Sequence, residues 1–229
     1  MIIQGLQKTT LLDFPGKVAA TVFTAGCNFR CPFCHNASLV THIDGSNTIP
    51  EEEVLDYLRR RKGILDGVCI TGGEPLLQPD IDRFCRKVKE LGLLVKLDTN
   101  GALPLRLRAL IDAGLVDYVA MDVKNSFEKY AETCGLTMFP EGVRESIALL
   151  MEEKIPYEFR TTVTREFHTK ESIEALARQI GGARRYFLQG FIDSGDLIGE
   201  GLSAYSAEEM NTLLELCLPY VPAAELRGI

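Results

Sequence analysis

The chain has 229 residues, of which 46% are hydrophobic and 25% charged, the balance of an ordinary globular protein. Its formal net charge of −7 disfavours non-specific binding to nucleic acid, which is itself densely negative. No apolar run approaches the ~20 residues of a membrane span, and no export signal is found before Asp13, so we expect a cytoplasmic protein.

Short β-rich runs alternate along the chain with stretches of helical periodicity, the pattern of a parallel sheet built from βαβ units. The predicted strands are Val18–Phe23, Val68–Thr71, Leu93–Leu97, Val116–Val123, Tyr157–Val163 and Tyr186–Phe191. The predicted helices lie at 54–58, 81–91, 105–113, 143–151, 173–180 and 207–218. The order is therefore six β/α units over about 18–218.

Six such units predict an α/β fold, a partial (β/α)6 TIM-type barrel with parallel strands and outer helices. Periodicity leaves an open doubly wound sheet as the alternative. Because there is no repeat, low-complexity tract or linker, residues 1–229 are predicted to form a single domain.

Polar or glycine-rich clusters follow all six predicted strands. They are the cysteine loop at 24–36, Gly72–Pro75, Asp98–Gly101, Met121–Lys124, Arg160–Thr162 and Gln189–Phe191. Both candidate folds bind ligands beyond the carboxyl ends of their strands, so these clusters are expected to meet on one rim.

Three cysteines, Cys27, Cys31 and Cys34, share one short loop with the spacing C-x3-C-x2-C. Three thiolates without a fourth ligand indicate an iron–sulfur cluster with one open iron, because structural zinc and electron-transfer clusters usually take four ligands. Zinc and purely structural thiols remain alternatives. Each of the other four cysteines is expected to be a small buried hydrophobe; they are Cys69, Cys85, Cys134 and Cys217.

The cysteine loop resembles the signature of the radical S-adenosylmethionine superfamily, which has an aromatic residue, here Phe33, before the third cysteine. The resemblance implies one [4Fe–4S] cluster on Cys27, Cys31 and Cys34, and it places Phe33 near the adenine. It also implies one-electron reductive cleavage of S-adenosylmethionine to a 5′-deoxyadenosyl radical that abstracts a hydrogen atom.

Further motifs extend the resemblance to the cofactor site. Gly72, Gly73 and Glu74 resemble a GGE motif that holds the amino group of S-adenosylmethionine. The resemblance also implies cofactor contacts on later strands, from Asp98, Asp122, Lys124, Arg160 and Gln189. A Na⁺ or K⁺ ion is implied at a site formed by Asp98, Thr99, Met121 and Asp122.

The segments Leu12–Gly16 and Thr24–Asn36 resemble activating enzymes of glycyl-radical enzymes, especially those of anaerobic ribonucleotide reductase. This implies hydrogen abstraction from a glycine of a partner enzyme and a flavodoxin- or ferredoxin-type electron donor. The sequence Gln189-Gly190-Phe191 departs from pyruvate formate-lyase activators, which often have a histidine there. An incomplete barrel is expected to leave a lateral opening for the peptide.

Two rival functions remain open at this point. One is a radical S-adenosylmethionine enzyme that acts on a small molecule, as carboxydeazaguanine synthases do. The other is a non-enzymatic zinc or iron–sulfur module for electron transfer. Metal analysis and the absorbance of the anaerobically reconstituted protein would separate zinc from iron.

Overall fold

The computed structural model of the protein describes residues 1–43, 45 and 47–229. Its strands are β1 (Ile3–Thr10), β2 (Ala19–Thr24), β3 (Gly67–Gly72), β4 (Leu94–Thr99), β5 (Tyr118–Asp122), β6 (Tyr157–Val163), β7 (Tyr186–Gly190) and β8 (Ala224–Arg227). Its helices are α1 (Ala37–Thr41), α2 (Glu51–Arg60), α3 (Ile81–Glu90), α4 (Pro104–Asp112), α5 (Phe127–Cys134), α6 (Gly142–Met151), α7 (Lys170–Gln179) and α8 (Ala207–Cys217). All six predicted strands are confirmed.

The strands form one sheet in the order of the chain, from β1 to β8. Neighbouring strands are parallel except β1 and β2, which are antiparallel. The sequence did not predict β1 or β8, so the sheet has two more strands than expected. Both extra strands lie at the ends of the sheet.

The sheet curls around an interior cavity. Residues from β1 through β7 line this one cavity, which a flat sheet of that width does not allow. Within the described ranges β1 and β8 form no ladder with each other, so the curl is not closed. The partial barrel is therefore confirmed, and the doubly wound alternative is wrong.

Alternation along each strand separates the core from the barrel interior. On β4, Val95 and Leu97 belong to the hydrophobic core, whereas Lys96 and Asp98 form an ion pair with each other inside the barrel. The helices cover the outside; α3 buries Phe84 and Val88 completely. No helix within residues 1–43, 45 and 47–229 is long and apolar enough to cross a membrane.

Candidate active site

A cavity of about 400 Å³ lies inside the curve of the sheet, and the loop 24–36 and seven consecutive strands contribute to its lining. The predicted site residues that line it are Cys27, Cys31, Phe33, Cys34, Gly72, Gly73, Asp98, Thr99, Asp122, Lys124, Arg160 and Gln189. Glu74 and Met121 were also predicted but are not among the lining residues. The expected convergence on one rim is thus met by all six strand-end clusters.

The loop that carries the three thiols is held by main-chain hydrogen bonds. Glu74 N donates to Gly26 O at 2.7 Å, and Gly26 N donates to Leu39 O at 2.8 Å. Arg30 N donates to Cys134 O at 2.9 Å, which ties the loop to the end of α5. These bonds tie the cysteine loop to the segment after β3, to α1 and to the end of α5.

The three thiols differ in proton affinity. Burial raises the pKa of Cys27 to about 11 and also raises the pKa of Cys34. A hydrogen bond from the Cys134 thiol lowers the pKa of Cys31. The Lys124 ammonium lowers the pKa of all three thiols. Because thiolates bind metal, loading must release protons, and the nearby positive charge favours that release.

The number and placement of the thiols bear on the kind of metal centre. In the described part of the chain, no group of three or more His, Cys, Asp or Glu side chains is placed to hold one metal ion. A structural zinc takes four ligands at about 2.0–2.3 Å from a single ion. Three cysteines spread along one loop and facing a cavity fit a cluster that takes one thiolate per iron.

Gly72 and Gly73 lie directly beneath the cysteine loop. A Cβ on Gly73 would lie 2.0 Å from Gly26 O, and one on Gly72 would lie 2.4 Å from Thr24 O. Gly72 also has φ +110°, which disfavours any side chain. The sequence indicated that a ligand approaches these glycines; the structure adds the close approach of the protein's own backbone.

Glu74 is fully buried and turns towards β4 rather than into the cavity. Its Oε1 accepts from Leu76 N at 3.0 Å and from Thr99 Oγ1 at 2.8 Å, and its Oε2 accepts from Asn100 N at 2.7 Å. Burial raises the pKa of Glu74 to about 7, against the effect of these donors. In this conformation the carboxylate links the segment after β3 to the end of β4, and a contact of Glu74 with the cofactor ammonium stays a prediction.

Four charged residues at the ends of β4, β5 and β6 form what we term the charged wall: Asp98, Asp122, Lys124 and Arg160. Arg160 bridges both carboxylates, with Nη1 3.2 Å from Asp98 Oδ2 and Nε 2.9 Å from Asp122 Oδ1. Lys124 Nζ lies 3.0 Å from Asp122 Oδ2, and Lys96, two residues before Asp98 on β4, forms an ion pair with Asp98. Only 14% of the Arg160 side chain is exposed, so these pairs are largely shielded from water.

Fixed cations keep the charged wall ionised. Burial opposes ionisation of Asp98, but Arg160 and Lys96 hold its pKa below the usual range. Arg160 and Lys124 do the same for Asp122, whose pKa lies well below the usual value. The two carboxylates are thus balanced by the protein's own cations.

Of the residues predicted to bind a monovalent cation, Asp98, Thr99 and Asp122 line the cavity and Met121 does not. Met121 is a neighbour of Asp122 on β5, and because successive side chains on a strand point to opposite faces, Met121 is turned away from the cavity. It packs instead on Gly101, where a Cβ would lie 2.0 Å from Met121 Cε. The Thr99 hydroxyl is engaged with Glu74. The Met121 side chain thus does not face the cavity, and the cation site formed by Asp98, Thr99, Met121 and Asp122 stays a prediction.

Side chains from the ends of the sheet form a second surface, here termed the neutral wall: Gln7 on β1, Thr21 and Phe23 on β2, and Gln189 on β7. Asp13 also lines the cavity there, and Thr21 Oγ1 donates to Asp13 Oδ2 at 2.5 Å. Only Gln189 was predicted as a site residue. A single sequence carries no signal for the others, because their contribution depends on how the sheet curls.

Phe33 is buried, with 3% of its surface exposed. Its ring centroid lies 6.0 Å from that of Phe167 and 5.8 Å from that of His168. The loop after β6 therefore holds an aromatic side chain of the cysteine loop in place.

The model of the Radical SAM superfamily matches residues 21–187 of this chain. A protein of Methanocaldococcus jannaschii with the provisional name glycyl-radical enzyme activating enzyme is 32% identical over 94% of this chain and 90% of its own length. Pyruvate formate-lyase-activating enzyme of Clostridium pasteurianum is 37% identical over 43% of each chain. A 7-carboxy-7-deazaguanine synthase of Hyperthermus butylicus is 38% identical over 42% of this chain and 40% of its own.

Solved structures share the fold. Streptococcus suis SuiB bound to S-adenosylmethionine matches 90% of this chain with a TM-score of 0.71 and 19% identity, and the chain spans about half of SuiB (49%). A domain of pyruvate-formate lyase-activating enzyme from Bacteroides vulgatus matches 71% of this chain and 99% of its own, with a TM-score of 0.59 and 18% identity.

Proposed function

The chain belongs to the Radical SAM superfamily, an enzyme family that uses a [4Fe–4S] cluster and S-adenosylmethionine, and we propose that it generates a glycyl radical on a partner enzyme. The observation that carries the proposal is the cavity itself. It joins three cysteines, the charged wall and the neutral wall in one space beside an unclosed sheet. The three cysteines and the charged wall fit a radical S-adenosylmethionine enzyme, and the gap in the sheet fits a macromolecular substrate.

Cys27, Cys31 and Cys34, which line the cavity, are the proposed ligands of three irons and would leave the fourth iron without a thiolate ligand. When bound, the cluster supplies an electron and S-adenosylmethionine supplies the hydrogen-abstracting group. The main-chain hydrogen bonds of Gly26 and Arg30 hold the cysteine loop in place, and the Lys124 ammonium favours the thiolate form of the cysteines.

The charged wall is the proposed seat of the cofactor's methionine moiety. Lys124 and Arg160 present cations to its carboxylate, while the fully paired Asp98 and Asp122 keep those cations in place. Lining the cavity beside them, Gly73 offers backbone to its ammonium, and Phe33 offers a buried ring to the adenine. In this way the chain orients the sulfonium before electron transfer.

The substrate would enter between β1 and β8. These end strands form no ladder with each other in the described residues, so the barrel has a lateral opening on the side of the neutral wall. Amide and hydroxyl side chains can donate to and accept from peptide groups, which carry no net charge. The proposed substrate is therefore an extended peptide loop with glycine at its tip.

We take anaerobic ribonucleotide reductase as the first partner to test, because the segments Leu12–Gly16 and Thr24–Asn36 resemble its activators. A flavodoxin- or ferredoxin-type protein is the proposed electron donor. The whole chain is proposed to act as one radical S-adenosylmethionine domain, in line with the continuous eight-stranded sheet.

A small-molecule reaction is the second candidate. The similarity to a 7-carboxy-7-deazaguanine synthase supports it, but that alignment covers 42% of this chain, against 94% for the activating-enzyme relative. We favour the protein substrate for that reason.

The test starts with anaerobic reconstitution of the protein with iron and sulfide. Reduction and addition of S-adenosylmethionine should give 5′-deoxyadenosine and methionine. The reductase is then added, and electron paramagnetic resonance should detect a glycyl radical that disappears when the reductase glycine is replaced by alanine. Cleavage without a radical on any glycyl-radical enzyme would favour the small-molecule candidate.

Two cysteine variants give a matched control. Cys31→Ser should lose the cluster absorbance and the cleavage together. Cys85→Ser alters a cysteine that is buried on α3 outside the cavity, and it should keep both. A full cluster in Cys31→Ser would overturn the ligand assignment.

A further inference from the structure

His168 is a buried titratable residue that the proposed chemistry does not use. It is 0% exposed, lies in the loop between β6 and α7, and is not among the residues that line the cavity. A fully buried imidazole needs hydrogen-bond partners for both of its nitrogens.

Both nitrogens have such partners. Thr164 N donates to His168 Nδ1 at 3.1 Å, and His168 Nε2 lies 2.7 Å from Lys124 O, which can only accept. Burial lowers the pKa of His168 to about 4, so the ring is neutral at physiological pH. The two bonds together define one tautomer, with the proton on Nε2.

The same ring contacts the cysteine loop. The His168 and Phe33 centroids are 5.8 Å apart with an interplanar angle of 65°, an edge contact. Tyr205 Oη donates to His168 O at 2.6 Å and fixes its main chain from the other side. One imidazole thus connects Phe33 on the cysteine loop with Lys124 beyond β5.

The residue before Lys124 is held separately. Val123 N donates to Arg160 O at 2.9 Å, and Thr161 Oγ1 donates to Val123 O at 2.6 Å. The peptide carbonyl of Lys124 is beyond this ladder, and His168 is the side chain that fixes it. This bond holds the main chain at the residue whose side chain pairs with Asp122.

We propose that His168 is a positioning residue, which holds the main chain of Lys124 and the ring of Phe33 in place for binding of S-adenosylmethionine. The inference rests on the cofactor roles proposed above for Lys124 and Phe33. It predicts that the Nε2 hydrogen bond, rather than burial of a ring at this position, determines cofactor affinity.

Two amide variants separate the two nitrogens. His168→Gln places an amide N–H near the Nε2 position and can keep the bond to Lys124 O, whereas His168→Asn can mimic only the Nδ1 acceptor for Thr164 N. Affinity for S-adenosylmethionine is measured anaerobically with the cluster left oxidised, so that no cleavage occurs. We expect about tenfold weaker binding for His168→Asn and at most about threefold for His168→Gln, since one hydrogen bond is at stake.

A double-mutant cycle with Lys124→Met shows whether His168 acts through Lys124. In the Lys124→Met background, His168→Asn should weaken binding by less than about twofold. Thermal unfolding of His168→Asn and His168→Gln should be lowered alike, because both lose the ring contact with Phe33. Additive losses in the cycle, or equal losses of affinity for the two amides, would overturn the proposal.

The outcomes also separate this inference from the function on which it rests. Unchanged affinity in Lys124→Met would refute the proposed cofactor role of that lysine itself. Weaker binding in Lys124→Met with wild-type affinity in His168→Asn would refute only the role of His168. If His168→Asn does not fold, Tyr205→Phe removes the hydrogen bond to His168 O and should weaken binding about threefold; unchanged affinity there would count against the proposal.

Discussion

The charged wall and the neutral wall face the same cavity but are built differently. Every member of the charged wall is paired with another: Arg160 holds Asp98 and Asp122, and Lys124 holds Asp122. In the neutral wall the bond of Thr21 goes to Asp13, outside the set, and Gln7 Nε2 makes only a long contact of 3.5 Å to Thr9 O.

This difference indicates a division of labour. Ions fixed by one another reorganise little when a charged ligand arrives, so the charged wall suits a cofactor that always binds in one pose. Amide and hydroxyl groups with spare hydrogen-bonding capacity suit a substrate that must enter and leave. The predictions below test this division.

Arg160→Gln should have the largest effect, because it removes the cation between two shielded carboxylates. We expect a loss of about 3 kcal/mol in the free energy of unfolding, measured by chemical denaturation of the metal-free protein. Arg165→Gln breaks an ion pair with Glu209 in which both side chains are more than 40% exposed, and should cost less than about 1 kcal/mol. Equal losses would show that the charged wall is no better shielded than the surface.

Stability against pH should reveal the groups that support the charged wall. His168 has a folded pKa of about 4, below its unfolded value, so the unfolded chain binds more protons between about pH 4 and 6.5. Its contribution to stability is therefore lost as pH falls through that window. Glu74, with a pKa raised to about 7, has the opposite effect between about pH 4.5 and 7, because its folded form binds more protons.

The two groups are separated by comparing the wild type with His168→Gln. Wild-type stability relative to the variant should decline by about 2 kcal/mol as pH falls from 7 to 4.5, measured by denaturation at each pH. A flat difference would mean that the buried ring takes up a proton without cost.

Replacing the monovalent cation of the buffer should show whether Arg160 or a bound metal ion balances the charge of Asp98 and Asp122. Because Arg160, Lys96 and Lys124 already balance the carboxylates, exchanging Na⁺ or K⁺ for tetramethylammonium should change the wild type's affinity for S-adenosylmethionine by less than about twofold. In Arg160→Gln, adding Na⁺ or K⁺ should restore affinity about tenfold. A strong cation requirement in the wild type would instead support the ion between Asp98 and Asp122.

Local patterns were enough to predict the six inner strands and their polar ends. Short β-rich runs between helical stretches located these strands, and Tyr157–Val163 was predicted to the residue. Strand β1 was not predicted because its residues Gln7 to Thr9 are polar and exposed, and β8 was not predicted because it has only four residues.

Other features of the site depend on long-range geometry. Arg160 was predicted, but its partners are 38 and 62 residues away, so its bridging role is visible only in the fold. Met121 was assigned from its place in a motif, whereas strand alternation admits only one of Met121 and Asp122 to the cavity. His168 gave no signal, since a buried histidine has no local pattern.

Substitutions in the neutral wall should have the smallest effect and should not change the cleavage of S-adenosylmethionine. Gln189→Ala and Gln7→Ala are each expected to lower the yield of glycyl radical on the partner about threefold, as expected for one lost hydrogen bond to a peptide. Cleavage of S-adenosylmethionine without the partner should stay at the wild-type rate, and Gln179→Ala on α7 should change neither quantity. If Gln189→Ala slows cleavage and radical formation together, Gln189 contacts the cofactor as the sequence predicted, and the two walls do not divide the labour as we infer.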